Sequence, residues 1–255
     1  MHIAVRSREG RIPEFMQYLK SRIADGLNRL LGREGHLWSR RYKAAPIEDE
    51  ASEIAMARYI WSHGVKEGLV DRSEHWPGEA SVKERLTGDR PTYKAFDRTA
   101  WFWAQRKSHD PVDTEDFERD VQVELSDWPF LAALGSDEAR RARVAELVEE
   151  ERLKAVEARG GKPSLGVPGV LGQSSWALPG DPVRRTPNPL CHAASKEARH
   201  AYRELYYAFV SAYHAASSAF RRGFYAVVFP PYALKPPLPA GWRPIAGLPP
   251  LLSPT

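Results

Sequence analysis

Tyr59 and His63 stand four positions apart in the stretch DEASEIAMARYIWSHGVKEGLV over residues 49–70. A phenol and an imidazole on one side of a helix can be a nucleophile beside a metal ligand. They can equally be two surface residues. A tyrosine hydroxyl is a poor nucleophile at neutral pH unless a base, a cation or the reaction geometry activates it. In DNA strand transfer a helix-borne tyrosine conserves the energy of the broken phosphodiester as a phosphotyrosine. A divalent metal can polarise the scissile phosphate, which requires imidazole or carboxylate ligands close by, and His63 is one candidate.

The helix that must carry this pair is legible from periodicity. Ile54, Ala57, Ile60 and Trp61 recur at three- and four-residue steps, Asp49 or Ser52 can cap the start, and Gly64 reads as the stop. At about 100° per residue, Tyr59 and His63 fall about 40° from each other and nearly opposite that apolar stripe.

A second candidate is HLWSRRYK over 36–43, where Trp38 and Tyr42 alternate with Arg40, Arg41 and Lys43. Aromatic rings can stack on unpaired bases while arginines follow phosphates. The bland alternative is a strand with one aromatic face in the core and basic residues in water. His2 is a third candidate, on a first strand expected over residues 2–6, where alternation puts it on one face with Ala4. His36, His75, His109, His192, His200 and His214 show no spacing of a structural metal site. There is no phosphate-binding G-x-x-x-x-G-K-[ST] loop, no G-x-G-x-x-G fingerprint, no G-x-S-x-G elbow and no C-x-x-C pair.

Other elements follow from the same patterns. A helix is expected over 13–31, with Pro13 at its first position, a stripe of Phe15, Leu19, Ile23, Leu27 and Leu30, and Gly32 at its end. A strand is expected around 37–47, a turn at Trp76-Pro77-Gly78, and a short helical turn over 81–88 ended by Gly88. Residues 97–108 read as an aromatic helical piece, 113–123 as a helix, and 136–159 as a long charged helix with solvated faces. Residues 160–190, rich in Gly and Pro, read as irregular chain. A long helix over 193–222, a strand over 225–229 and a Pro-rich extended or disordered tail over 230–255 complete the chain.

Composition bounds the function. The 255 residues are 42% hydrophobic and 11% aromatic, enough for a sizeable core. The single Cys191 rules out an internal disulfide, and no apolar run reaches membrane-spanning length, so a soluble, cytoplasmic protein is expected. The net charge of +4 is uneven. Residues 11–43 hold eight Lys or Arg against three acids, whereas 110–157 hold fifteen acids against six bases. A basic first third suggests an anionic partner, nucleic acid foremost; chance clustering on solvated faces gives the same charge pattern.

Taken in order, residues 11–78 resemble the REP-associated tyrosine transposases, single-tyrosine HUH enzymes of the insertion-sequence-200-like class. The matching features are a helix ending in Leu27-Asn28-Arg29, then Gly35-His36-Leu37-Trp38 with Arg41-Tyr42, an acidic turn, Tyr59-Ile60 followed by Val65-Lys66 and Gly68-Leu69-Val70, and Trp76-Pro77. The resemblance covers about residues 1–88; FDRTA at 96–100, PSLG at 163–166 and the helix near 193–222 look like an extension found in one branch of these proteins.

The resemblance implies an α+β fold. A small antiparallel sheet would carry a His-hydrophobic-His motif on a central strand, with a helix beside it presenting the nucleophile. On this reading residues 1–88 are an N-terminally truncated transposase domain and 89–159 a helical, acidic extension. Residues 160–229 form a linker with a long helix, and 230–255 a disordered tail. Tyr59 would attack a phosphate of hairpin-forming single-stranded DNA to give a 5′-phosphotyrosine and a free 3′-hydroxyl. His2 and His63 would be ligands of a divalent metal, Mg²⁺ or Mn²⁺. Arg22, Arg29, Trp38, Arg40, Arg41, Tyr42 and Lys43 would contact the strand.

The sequence departs from the family pattern at two places. His63-Gly64 stands where many relatives read Asn-Pro, and an imidazole suits Mn²⁺ better than Mg²⁺. His2 takes the second-histidine position with Met1 between, so the first histidine would precede residue 1. The expectation is a start placed inside a longer frame or a truncated remnant, with an incomplete metal site and lost catalysis. Two other functions compete: a DNA-binding protein without catalysis, and a helical protein-interaction module.

Overall fold

The structure, a computed structural model, describes residues 1–108, 110–174, 189–233 and 235–241. Its elements in chain order are α1 (Ile12–Leu30), α2 (Glu50–Lys66), α3 (Ser81–Thr87), β1 (Thr92–Phe96), α4 (Arg98–Lys107), β2 (Glu118–Gln122), α5 (Pro129–Ala132), α6 (Asp137–Ala158), α7 (Gly166–Leu171) and α8 (Lys196–Arg221). The class is α+β, with one two-stranded antiparallel sheet among the described residues. No helix among them is long and apolar enough to cross a membrane.

The chain forms two compact units, Met1–Ser52 with Thr186–Thr255, and Glu53–Arg185. They cut the chain at different points from the segments 1–88, 89–159, 160–229 and 230–255 read from the sequence.

In the second unit the core is built by helices that are distant in sequence. Ala57 and Trp61 of α2, Val82 of α3, Phe130 and Leu131 of α5, and Val144, Leu147 and Val148 of α6 are buried together. Trp61 meets Trp128 edge-on at 6.1 Å and Phe130 at 6.4 Å, a geometry that aromatic quadrupoles favour. A smaller cluster joins Val65, Val70 and Ala155, with Trp76, Val167 and Val170 packed against it. The charged helix α6 is therefore no free solvated rod. Its Val144, Leu147, Val148 and Ala155 are spaced to one face, and that face is buried.

Several expectations are corrected. Gly64 does not end α2, which runs on to Lys66; the chain turns at Gly68, whose φ of +68° suits glycine. Gly64 instead makes room, since a Cβ there would lie 2.9 Å from Cε3 of Trp76. Residues 113–123 are not a helix. A 3-10 turn at Glu115–Phe117 leads into β2, which pairs with β1 in the register Thr92↔Gln122 to Phe96↔Glu118. The pairing lies outside what local propensity reports. Gly166–Leu171 in the supposedly irregular 160–190 forms α7; residues 175–188 of that stretch lie outside the described residues.

In the first unit the strand expected over 2–6 is not formed, and Ile3 and Val5 are exposed. An apolar alternation becomes a strand only where a partner offers a ladder. The same holds for 37–47, reduced to a parallel bridge between Ile47 and His192, and for 225–229. There Phe229 is buried by packing on Tyr213 at 5.7 Å and Phe220 at 6.0 Å, without strand pairing. Of the tail, residues 230–233 and 235–241 are described and hold neither helix nor strand; 242–255 lie outside the described residues.

Candidate functional site

The start of α2 is set by Asp49. Its Oδ1 accepts from the Ser52 amide at 2.8 Å and its Oδ2 from the Ala194 amide at 2.7 Å, so one carboxylate caps the helix and ties in a distant loop. The hydrogen bonds from Ser52, backbone and side chain, hold the Asp49 carboxyl below its ordinary value. Ser52 is not the cap; its own residue is buried.

Further along α2, Ala57, Trp61 and Val65 face the core. Arg58, beside that face, reaches Glu150 Oε2 at 2.7 Å and Glu151 Oε1 at 3.6 Å on α6. Packing and ion pair together fix the roll of the helix. Tyr59 and His63 consequently lie on the far side, both half-buried. Their rings are 5.0 Å apart and tilted by 54°. The Lys66 ammonium lies 5.3 Å from the centre of the Tyr59 ring. Lys66 is one residue that single-motif reasoning passed over, although its seven-residue step from Tyr59 places it on the same face.

This face of α2 carries the imidazole of His63, the phenol of Tyr59 and the ammonium of Lys66. Among the described residues no three His, Cys, Asp or Glu side chains converge as metal ligands would. A divalent cation needs more oxygen or imidazole donors than His63 offers here, and Lys66 brings a like charge. His2 is exposed, lies in a stretch without strand or helix, and belongs to the other compact unit.

The basic candidates sit in the first unit. Trp38 is half-buried, and its indole N–H donates to the Lys20 carbonyl at 3.0 Å. The Lys20 ammonium in turn lies 5.1 Å from the Trp38 ring and donates to the Arg40 carbonyl at 2.9 Å. Trp38 thus anchors the 36–43 loop on α1. Asn28 adds a bond from its side-chain amide to the Gly35 carbonyl at 2.9 Å. Arg40, Arg41 and Lys43 are left exposed on the anchored loop, with Tyr42 half-buried between them. Arg22 pairs with Asp25 at 3.5 Å and lies 5.6 Å from the Tyr18 ring. Arg29 Nε donates to the Asp25 carbonyl at 3.0 Å. These two are committed to α1 itself more than the loop arginines are.

No family model, no curated protein and no solved structure matches the chain.

Proposed function

We propose that this chain is a transposase-like protein that binds single-stranded, hairpin-forming DNA, with Tyr59 as the nucleophile in the form that cuts. The observation that carries the reading is the α2 face on which Tyr59, His63 and Lys66 gather, turned away from the core that holds the helix. In the cutting step the Tyr59 oxygen forms a bond to phosphorus as the bond from phosphorus to the 3′-oxygen breaks. The phenolic proton is released, the 3′-oxygen takes one up, and a 5′-phosphotyrosine remains. On this reading His63 would take the phenolic proton and Lys66 would offset charge on the phosphate. The loop around Arg40 and Arg41 holds the strand by its phosphates. The ordering of motifs over residues 11–78 supports membership of the REP-associated tyrosine transposases.

A second reading, a DNA-binding protein that no longer cuts, is favoured by one observation. His2 lies exposed in a stretch that forms no strand, whereas the family's histidine motif sits on a central one.

One experiment separates them. The chain, a version with its frame extended upstream of Met1, and Tyr59→Phe in each are incubated with a single-stranded hairpin oligonucleotide and Mn²⁺. A covalent adduct lost in Tyr59→Phe is expected of the cutting form. An adduct that persists in Tyr59→Phe sinks the nucleophile assignment. Salt-dependent binding without an adduct in any version selects the second reading. For single strands, log affinity falls against log salt by about 0.7 per phosphate contact, so Arg40→Gln with Arg41→Gln should flatten the slope by about 1.4.

A further inference from the structure

One side of α4 carries an aromatic and basic cluster that the site on α2 does not use. The helix packs through its other side. Trp101 meets Phe96 at 6.0 Å, Gln105 Oε1 accepts from the Val112 amide at 3.1 Å, and Asp97 caps the start through Ala100 at 2.9 Å. The acids Glu115, Asp116, Glu118 and Asp120 belong to the 3-10 turn and strand that follow α4, not to α4 itself. On the opposite side Phe102 is 46% and Trp103 53% exposed. Their rings stand 5.6 Å apart at 74°, and the Arg106 guanidinium lies 5.5 Å from one and 5.7 Å from the other. Lys107 and Thr99 complete this side, which holds no acid.

Two large rings kept in water forgo the free energy that burial would supply. A ligand for them must present flat faces and negative charge together. An unpaired nucleic-acid strand does both at every nucleotide, since each base has a π-face and each linkage a phosphate. An acidic peptide matches the cations but not the paired rings.

We infer that α4 is a stacking platform for unpaired bases of a single strand. Phe102 and Trp103 take the bases, and Arg106 and Lys107 the phosphates. This rests on the single-strand-binding reading above, but the contact lies in the unit that carries Tyr59, whereas the 36–43 loop belongs to the other.

The test measures binding of the full chain to an oligothymidylate and to an abasic strand of equal length. Three double variants are compared: Phe102→Ala with Trp103→Ala, Phe102→Leu with Trp103→Leu, and Arg40→Gln with Arg41→Gln. The leucine pair keeps apolar bulk without a π-face and guards against loss of the fold, which circular dichroism checks. Both aromatic variants should weaken oligothymidylate binding by roughly 10- to 100-fold and leave abasic binding unchanged. Unchanged oligothymidylate binding in the leucine pair, with loss in the loop arginine pair, overturns the platform and leaves the DNA reading standing. Equal loss on both strands overturns stacking and makes α4 a charge patch. No binding of either strand by the unmodified chain overturns both proposals.

Discussion

Gly64 shows how one atom's absence shapes the surroundings of Tyr59. Replacing it with alanine gains about 1 kcal/mol of helix propensity. The new Cβ, however, would meet the Trp76 ring at 2.9 Å and a Val70 methyl at 3.3 Å, and overpacking of that kind costs about 1–3 kcal/mol. Gly64→Ala is therefore expected to lower stability by about 1 kcal/mol in a urea titration, and Trp76→Leu in the same chain should remove the penalty. A stabilised Gly64→Ala would mean that the indole yields without cost. Asp49 supplies a second case, with a pH signature. Its folded-state pKa is depressed by the Ser52 hydrogen bonds, so its contribution is present above the ordinary value of 3.8. That contribution is lost as pH falls through the lower folded value. Asp49→Ala should lower the melting temperature by about 2–4 °C at pH 7. The difference from the unmodified chain should narrow below pH 3.8.

At the scale of elements, α6 decides where the Tyr59 side of α2 points. Leu147 is fully buried in the cluster that α2, α3, α5 and α6 share, with Val144 and Val148 beside it. Leu147→Ala should cost about 2–5 kcal/mol, read from denaturant midpoints. The Arg58 pairs with Glu150 and Glu151 are half-exposed, and Arg58→Ala should cost no more than about 1 kcal/mol. An Arg58→Ala loss as large as that of Leu147→Ala would reverse this ranking and make the ion pair the main clamp. The β1–β2 pair contributes differently. A two-stranded ribbon is marginal alone, and this one is reinforced by Lys94–Glu118 at 3.0 Å and the Tyr93 hydroxyl donating to Glu79 at 2.9 Å.

Across the whole chain, burial is unevenly shared between the two units. The second holds both apolar clusters. In the first, Met16, Cys191, Ala216 and Phe229 are the buried apolar residues among those described. Amphipathic α1 leaves Phe15, Leu27 and Leu30 exposed, and α8 leaves Leu205, Tyr207 and Phe209 exposed. Local opening is easiest where few apolar contacts must break. Amide hydrogen exchange should therefore find α1 and α8 at least about tenfold less protected than α2 and α6. Equal protection in all four would mean that the exposed faces are covered in solution.

Local patterns in the chain were sufficient for most of the helices. The stripes of α1 and α2 and the cap at Asp49 are written within a few residues, because helical hydrogen bonds and caps are short-range. The opposition of Tyr59 and His63 to the core follows from the same geometry. Strands were another matter. Residues 2–6, 37–47 and 225–229 have the alternation but no ladder partner, while 92–96 and 118–122, without a strong pattern, found each other across more than twenty residues. Pairing is a non-local choice, and side-chain alternation permits it without specifying it. The acidic α6 likewise revealed its buried face only once α2, α3 and α5 were packed against it. So the sequence alone could nominate Tyr59 and His63. That Lys66 joins them follows from α2 running on past Gly64; how α2 rolls against α6 needed the fold, because that depends on packing between helices far apart in the chain.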